Sequence, residues 1–246
     1  MNTKSLRFTW HVASIAVLLT LSSACRIYIG DDGMSMRSWR SGDGSGFFEK
    51  GPVFHGDGVA ANEERVLESF DAISIRGGFE LDARIGETQS IVIHADSNIL
   101  ERIETEVEDG VLEIGLASGN YHSIQTLKVV VTVPRLRSLD VRGSVDGSVR
   151  GLDVDSFAID VSGAADLHCD GRVRDLDIDI RGSGELALFE LTATKVEVSI
   201  SGSGSVRTHA EERIDARISG SGSIRYRGQP ATHISVSGSG VIQAAD

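Results

Sequence analysis

The chain has 246 residues and a formal net charge of −12, without a cluster of Lys and Arg, which argues against nucleic acid as a partner. It carries 28 Gly, only three Pro and 5% aromatic residues; Gly at this level without a Gly-X-Y period is not collagen and indicates many tight turns. Of its two cysteines, Cys25 and Cys169, the first is a candidate for acylation, which leaves Cys169 without a partner and the chain without a disulfide framework.

The first residues address the chain to the envelope. Lys4 and Arg7 precede an apolar run from Val12 to Leu21, broken only by Ser14 and Thr20. Ser22, Ser23 and Ala24 then lead to Cys25. This is the layout of a secretory signal peptide over residues 1–24, and the run is about half of the roughly 20 residues that span a bilayer. The small residues before Cys25 resemble the lipobox of bacterial lipoproteins, in which the Cys is diacylated and becomes the new N-terminus. Ser22 departs from the branched apolar residue usual at its position. Cys25 is the expected site of lipidation with palmitate-type chains, because durable attachment needs more than one chain. Cleavage near Ala24, leaving a soluble protein, is the alternative. Arg26 rather than Asp follows the Cys, which favours the outer membrane.

Residues 25–58 read as a flexible tether. Gly30-Asp31-Asp32-Gly33 and Ser41-Gly42-Asp43-Gly44-Ser45-Gly46 are polar and turn-rich, with no apolar period. Residues 59–246 read as one all-β domain. Phe79, Leu81, Ala83 and Ile85 alternate with Glu80, Asp82 and Arg84, and Leu127, Val129, Val131 and Val133 run up to Pro134; period two marks half-buried strands. Ile91 and Ile93 flank Val92, and Val111, Leu112 and Ile114 follow the turn Asp109-Gly110. Between them, Ser97 to Glu108 reads as a turn followed by a strand at Ile103–Val107.

The C-terminal half repeats. Gly143, Gly163, Gly182, Gly202, Gly220 and Gly238 recur at spacings of 20, 19, 20, 18 and 18 residues, four of them in Ser/Arg-Gly-Ser-Gly corners. Each is preceded by an alternating pair: Leu139/Val141, Ile159/Val161, Ile178/Ile180, Val198/Ile200, Ala216/Ile218 and Ile234/Val236. A second short strand follows each corner. This period suits one coil of a parallel β-helix, in which stacked coils align apolar columns and share a core no single coil can hold. The glycines are expected as structural corners with positive φ. Cys169 falls in an inward column with Leu167, Leu188 and Tyr226, as a buried hydrophobe.

The outward positions offer little chemistry. Asp140, Asp160 and Asp179, each three residues before a corner glycine, would form an acidic ladder if coils stack about 4.8 Å apart. It reads either as a solvated, charge-mixed face or as a weak divalent-cation site, since Ca²⁺ takes oxygen ligands. The calcium-binding Gly-Gly-x-Gly-x-Asp nonapeptide is absent. No His-Glu-x-x-His, Cys-x-x-Cys or Gly-x-Ser-x-Gly elbow occurs, and the Ser-Gly-Ser-Gly corners lack the Gly-Lys-Ser/Thr close of a phosphate loop. No catalytic residue and no cofactor is expected.

Gly56-Asp57-Gly58-Val59, Arg65, Phe70-Asp71-Ala72-Ile73, the repeated Ser-Gly-Ser-Gly turns and Ile224-Arg225-Tyr226-Arg227-Gly228-Gln229-Pro230 resemble the head domain of auto-transporter adhesins, the GIN domain (DUF2807). The resemblance covers roughly residues 56–246. It implies a β-helical fold related in shape to pectin lyases, no known catalytic set, and an adhesion or surface-interaction role. Arg142-Gly143-Ser144-Val145 and Ser162-Gly163-Ala164-Ala165 depart from the full corner motif. The first expectation is therefore a non-catalytic, lipid-anchored envelope protein, facing the periplasm or the cell surface, that binds envelope polysaccharide or protein, or a copy of itself through the unpaired β-helix ends. The alternatives are a lyase-like, polysaccharide-active β-helix enzyme and a structural or stress-related envelope protein without a discrete ligand.

Overall fold

The computed structural model describes residues 28–30, 33–35 and 51–245. The chain divides into two units, residues 1–49 and 50–246. In the first, Tyr28–Gly30 (β1) pairs antiparallel with Gly33–Ser35 (β2). Cys25 and the rest of the leader lie outside the described residues.

The second unit is built from strands because its sequence alternates. Its elements are Val53–His55 (β3), Ala60–Arg65 (β4), Ala72–Ile85 (β5), Ser90–Asp96 (β6), Ile103–Glu108 (β7), Val111–Leu116 (β8), Asn120–His122 (β9), Leu127–Val133 (β10), Ser138–Val161 (β11), Ala164–Gly202 (β12), Ser205–Gly220 (β13), Ser223–Arg227 (β14), Ala231–Gly238 (β15) and Val241–Ala244 (β16). Among the described residues, helix is confined to a single 3₁₀ turn, Leu100–Arg102. Strand β7 begins directly after it, at the position expected from the sequence. The Asp109-Gly110 turn joins β7 to β8 as a two-residue hairpin with φ of 52° and 76°, the positive-φ pair that suits the twist of flanking strands.

From β5 onward the long strands pair in parallel. Residues of β11 face those 19 or 20 positions on in β12 (Ser144↔Ala164, Asp160↔Asp179). The same relation links β12 to β13, at 20 positions from Glu185 and 18 from Lys195 on (Ser199↔Arg217), and β13 to β15 (Arg217↔Ser235) at 18. Each long strand is thus paired in parallel with the next at a register close to the glycine spacing. Side chains alternate across the ladder, so one set of columns is dry. Ile75, Val141, Val161, Ile180, Ile200 and Ile218 are all buried in one of them. Each buried Val, Leu or Ile contributes roughly 1.5–3 kcal/mol, and neighbouring layers share that gain.

The expected all-β class holds, whereas uniform parallel coils do not run through the unit. The sheet is mixed and open. Its N-terminal portion runs β5-β10-β6-β4, with β10 antiparallel to β6 and β6 antiparallel to β4, and the β7–β8 hairpin joins β5 through β8. The reason lies in the 52 residues between β5 and β11, which carry the Asp109-Gly110 hairpin turn and none of the repeated Gly corners. The boundary drawn after residue 58 also shifts. β3 pairs in parallel with β9 (His55↔His122), and Gly56 N–H donates to His122 O at 3.0 Å. Residues 53–58, read as tether, are thus held against the folded unit.

A candidate interaction surface

The corner glycines stand in a single file. A Cβ on Gly143 would lie 2.2 Å from Gly77 O, one on Gly163 2.2 Å from Gly143 O, and one on Gly182 2.2 Å from Gly163 O. Gly202, Gly220 and Gly238 continue it at 2.4 Å from the carbonyl of the glycine below. Positive φ, the expected reason for these glycines, holds at Gly163, Gly202, Gly220 and Gly238, but Gly143 and Gly182 lack it. Close approach of stacked backbones is what all six share. Gly77 begins the file and was not singled out in the sequence. Ile73-Ser74-Ile75-Arg76-Gly77 resembles Leu139-Asp140-Val141-Arg142-Gly143, and it is the 66-residue gap between the two glycines that hides the match.

Because pairing fixes register, the outward residues beside the file also form columns. Asp140, Asp160 and Asp179 occupy equivalent positions, continued by Ser199, Arg217 and Ser235. Beside them run Asp177, Glu197, Asp215 and His233. Unit charges about 4.8 Å apart repel by roughly 0.9 kcal/mol in water and about 3.5 kcal/mol at an effective dielectric of 20. The strand answers with guanidiniums two residues away, which lie on the same face. Arg142 reaches Asp140 at 2.6 Å, and Arg181 reaches Asp179 at 2.8 Å. Arg213 holds Asp215, and Arg217 bridges to Glu197 in the layer below.

Among the described residues Asp160 has no such partner. Partial burial, then the charges of Asp140 and Asp179, raise its pKa above the ordinary carboxylate value, against the opposing pull of Arg181 and Arg142. Asp177 is raised likewise, by partial burial and then Glu197, Asp160 and Asp179. Asp215 is lowered, chiefly by its hydrogen bond from Arg213. Open depressions flank the columns. One of ≈ 390 Å³ is lined by Ser74, Glu113, Asp140, Arg142 and Asp160, and one of ≈ 290 Å³ by Asp177, Lys195, Glu197, Arg213 and Asp215 among others.

A family model described as "Putative auto-transporter adhesin, head GIN domain" matches residues 69–230, more than half of the chain. The chain belongs to this family. Its fold is similar to that of a putative adhesin from Bacteroides fragilis, with a TM-score of 0.65 and 22% identity over 78% of this chain and 100% of that one. Weaker likenesses are a putative adhesin from Parabacteroides merdae (TM-score 0.46, 19% identity, covering 79% of this chain and 100% of that one) and a putative lipid-binding protein from Parabacteroides distasonis (0.45, 23%, 79% and 100%). No curated protein matches the sequence.

Within this GIN domain the acidic ladder is assembled in register, but among the described residues no three His, Cys, Asp or Glu side chains converge as metal ligands would. Parallel columns keep carboxylates side by side along the sheet instead of turning them toward one point. Cys169 is fully buried, and burial pushes its thiol up to about 12. His55 and His122, far apart in sequence, have ring centroids 5.5 Å apart, beside a stacked Phe54–Tyr121 pair at 5.3 Å with Arg102 over the Phe54 ring. Nothing in the local sequence marks this cluster; the β3–β9 pairing creates it. Asp96 is likewise hidden in sequence. Buried and capped, it accepts backbone N–H groups from Gly58, Gln125 and Thr126, tying the β3–β4 connection to the segment before β10.

Proposed function

We propose that this chain is a non-catalytic lipoprotein of the bacterial cell envelope, and that its folded unit is a parallel β-helix serving as an adhesin-like binding module. The observation that carries the reading is the partly exposed column from Asp140 through Asp160 and Asp179 to Arg217, in which Asp160 is paired with Asp179 and Ser199 with Arg217. Carboxylates and guanidiniums spread along the sheet over several paired strands suit an extended partner, such as an envelope polysaccharide or a protein surface, better than a small molecule, whose sites are enclosed and mostly apolar. Membership in the GIN-domain family supports the adhesin-like role. The basic start, apolar run and Ser-Ser-Ala-Cys close of residues 1–25 support acylation at Cys25 and attachment to a membrane, and Arg26 supports the outer membrane.

Binding is tested with the full chain in mild detergent on a glycan array and by cross-linking in intact envelopes. Reproducible capture of a glycan or an envelope protein without release of product is expected. Shortened or unsaturated sugar products would overturn the reading in favour of a lyase-like enzyme, and failure of both assays would leave a structural envelope protein. For the anchor, mass spectrometry of the processed chain should find acyl chains on an N-terminal Cys25. Cys25→Ser should move the protein from the detergent phase to the aqueous phase; unchanged partitioning would refute lipidation there.

A further inference from the structure

The two ends of the open sheet differ in kind. At one end lie β4, with Glu63, Glu64 and Arg65, and β7, with Glu104, Glu106 and Glu108. Charges of this sort blunt a strand edge against pairing with other chains. At the other end lie β15 and β16. All eight residues of β15 are exposed. Ile234, Val236 and Val241 are 44%, 42% and 52% exposed, although Ile234 and Val236 continue columns whose previous members, Ala216 and Ile218, are buried. From Gly228 to Ala245 there is no Lys, Arg, Asp or Glu. Among the described residues, β15 and β16 thus combine backbone groups unpaired on their outer edge, apolar side chains and no Lys, Arg, Asp or Glu.

We propose that two copies of this chain join through this end, β15 edge toward β15 edge, about a two-fold axis. In a two-fold contact the same patch meets itself, so any charge on it would approach its own copy. In a chain of net charge −12, this uncharged edge is where two copies meet without like-charge repulsion. Stacking the β15 end of one copy on the β4 and β7 end of another would instead press carboxylates such as Glu64 and Glu106 onto Ile234 and Val236, and burying a carboxylate against apolar side chains is costly. Antiparallel pairing of the two edges satisfies their backbone groups and covers the three apolar side chains. The inference is independent of the binding role proposed above.

The test is sedimentation equilibrium of the full chain in density-matched mild detergent, with amide hydrogen exchange. A dimer is expected, with residues 231–244 protected only at concentrations where it forms. Ser235→Glu with Ser237→Glu changes exposed positions of β15 without touching the core and should weaken association at least tenfold. Val241→Lys should act in the same direction, and Asn62→Lys on β4 should leave association unchanged. Circular dichroism confirms that each variant is folded. A wild-type monomer at tens of micromolar would overturn the proposal, as would a dimer indifferent to both edge variants or lost only with Asn62→Lys. Concentration-independent protection of residues 231–244 would also overturn it and identify another part of the chain as the cover.

Discussion

The carbonyl oxygen of Gly163 lies 2.2 Å from the point where Gly182 would carry a Cβ. The three atoms nearest that point all belong to the Gly163 backbone, so no rotamer change can relieve the clash. Gly182→Ala should therefore force two layers apart, at a cost of about 2–3 kcal/mol. The neighbouring, exposed Ser183→Ala should stay within about 0.5 kcal/mol. Urea denaturation followed by circular dichroism checks the pair; equal midpoints for the two variants would show that the glycine file is not under steric constraint.

Asp96 should matter through its acceptor oxygens. Its carboxylate receives N–H groups from Gly58, Gln125 and Thr126 at 2.9–3.2 Å. Asp96→Ala strips these donors of their partner in a buried place, a loss of about 2–3 kcal/mol, and should expose residues 53–58 to limited proteolysis. Asp96→Asn, which keeps one acceptor, should cost less. Similar digestion patterns for wild type and Asp96→Ala would show that another contact holds the segment.

The acidic columns give stability a pH dependence of two signs. Asp160 and Asp177 have folded-state pKa values above their unfolded values, so their contribution is fully present below the unfolded value and is lost as pH rises through the folded one. Asp215 is lowered, so its contribution is present above the unfolded value and is lost as pH falls through the folded one. At pH 7, Asp160→Asn should stabilise and Asp215→Asn destabilise, each by less than about 1 kcal/mol, the range of partly exposed pairs, read as a higher and a lower Tm. Thermal melts at pH 7 and pH 3.5 are the check, and the gain from Asp160→Asn should shrink at the lower pH.

Cys169 should be inert while the chain is folded. Burial raises its thiol pKa to about 12, and the thiolate is the reactive form. Iodoacetamide at pH 8 should leave it unmodified in native protein and label it after denaturation. Rapid native labelling would place it on a part of the core that opens readily. Cys169→Ser, which sets a hydroxyl in an apolar column, should destabilise more than Cys169→Ala.

The amino-acid order by itself determined the strand content, the Asp109-Gly110 hairpin, the apolar columns and the inward place of Cys169. Those features depend on near neighbours: period-two alternation selects strand, and a regular glycine spacing announces layers of equal length. Gly77 escaped because a long excursion separates it from Gly143, so no fixed period connects them.

Tertiary structure alone decided that Asp96 clasps three distant N–H groups, that His55 meets His122, and that Asp160 sits between the charges of Asp140 and Asp179 without an ion-pair partner among the described residues. It also decided which end of the sheet is charged and which is bare. Such relations depend on strand partners remote in sequence, and each is set by backbone register between strands rather than by any preference the local residues express.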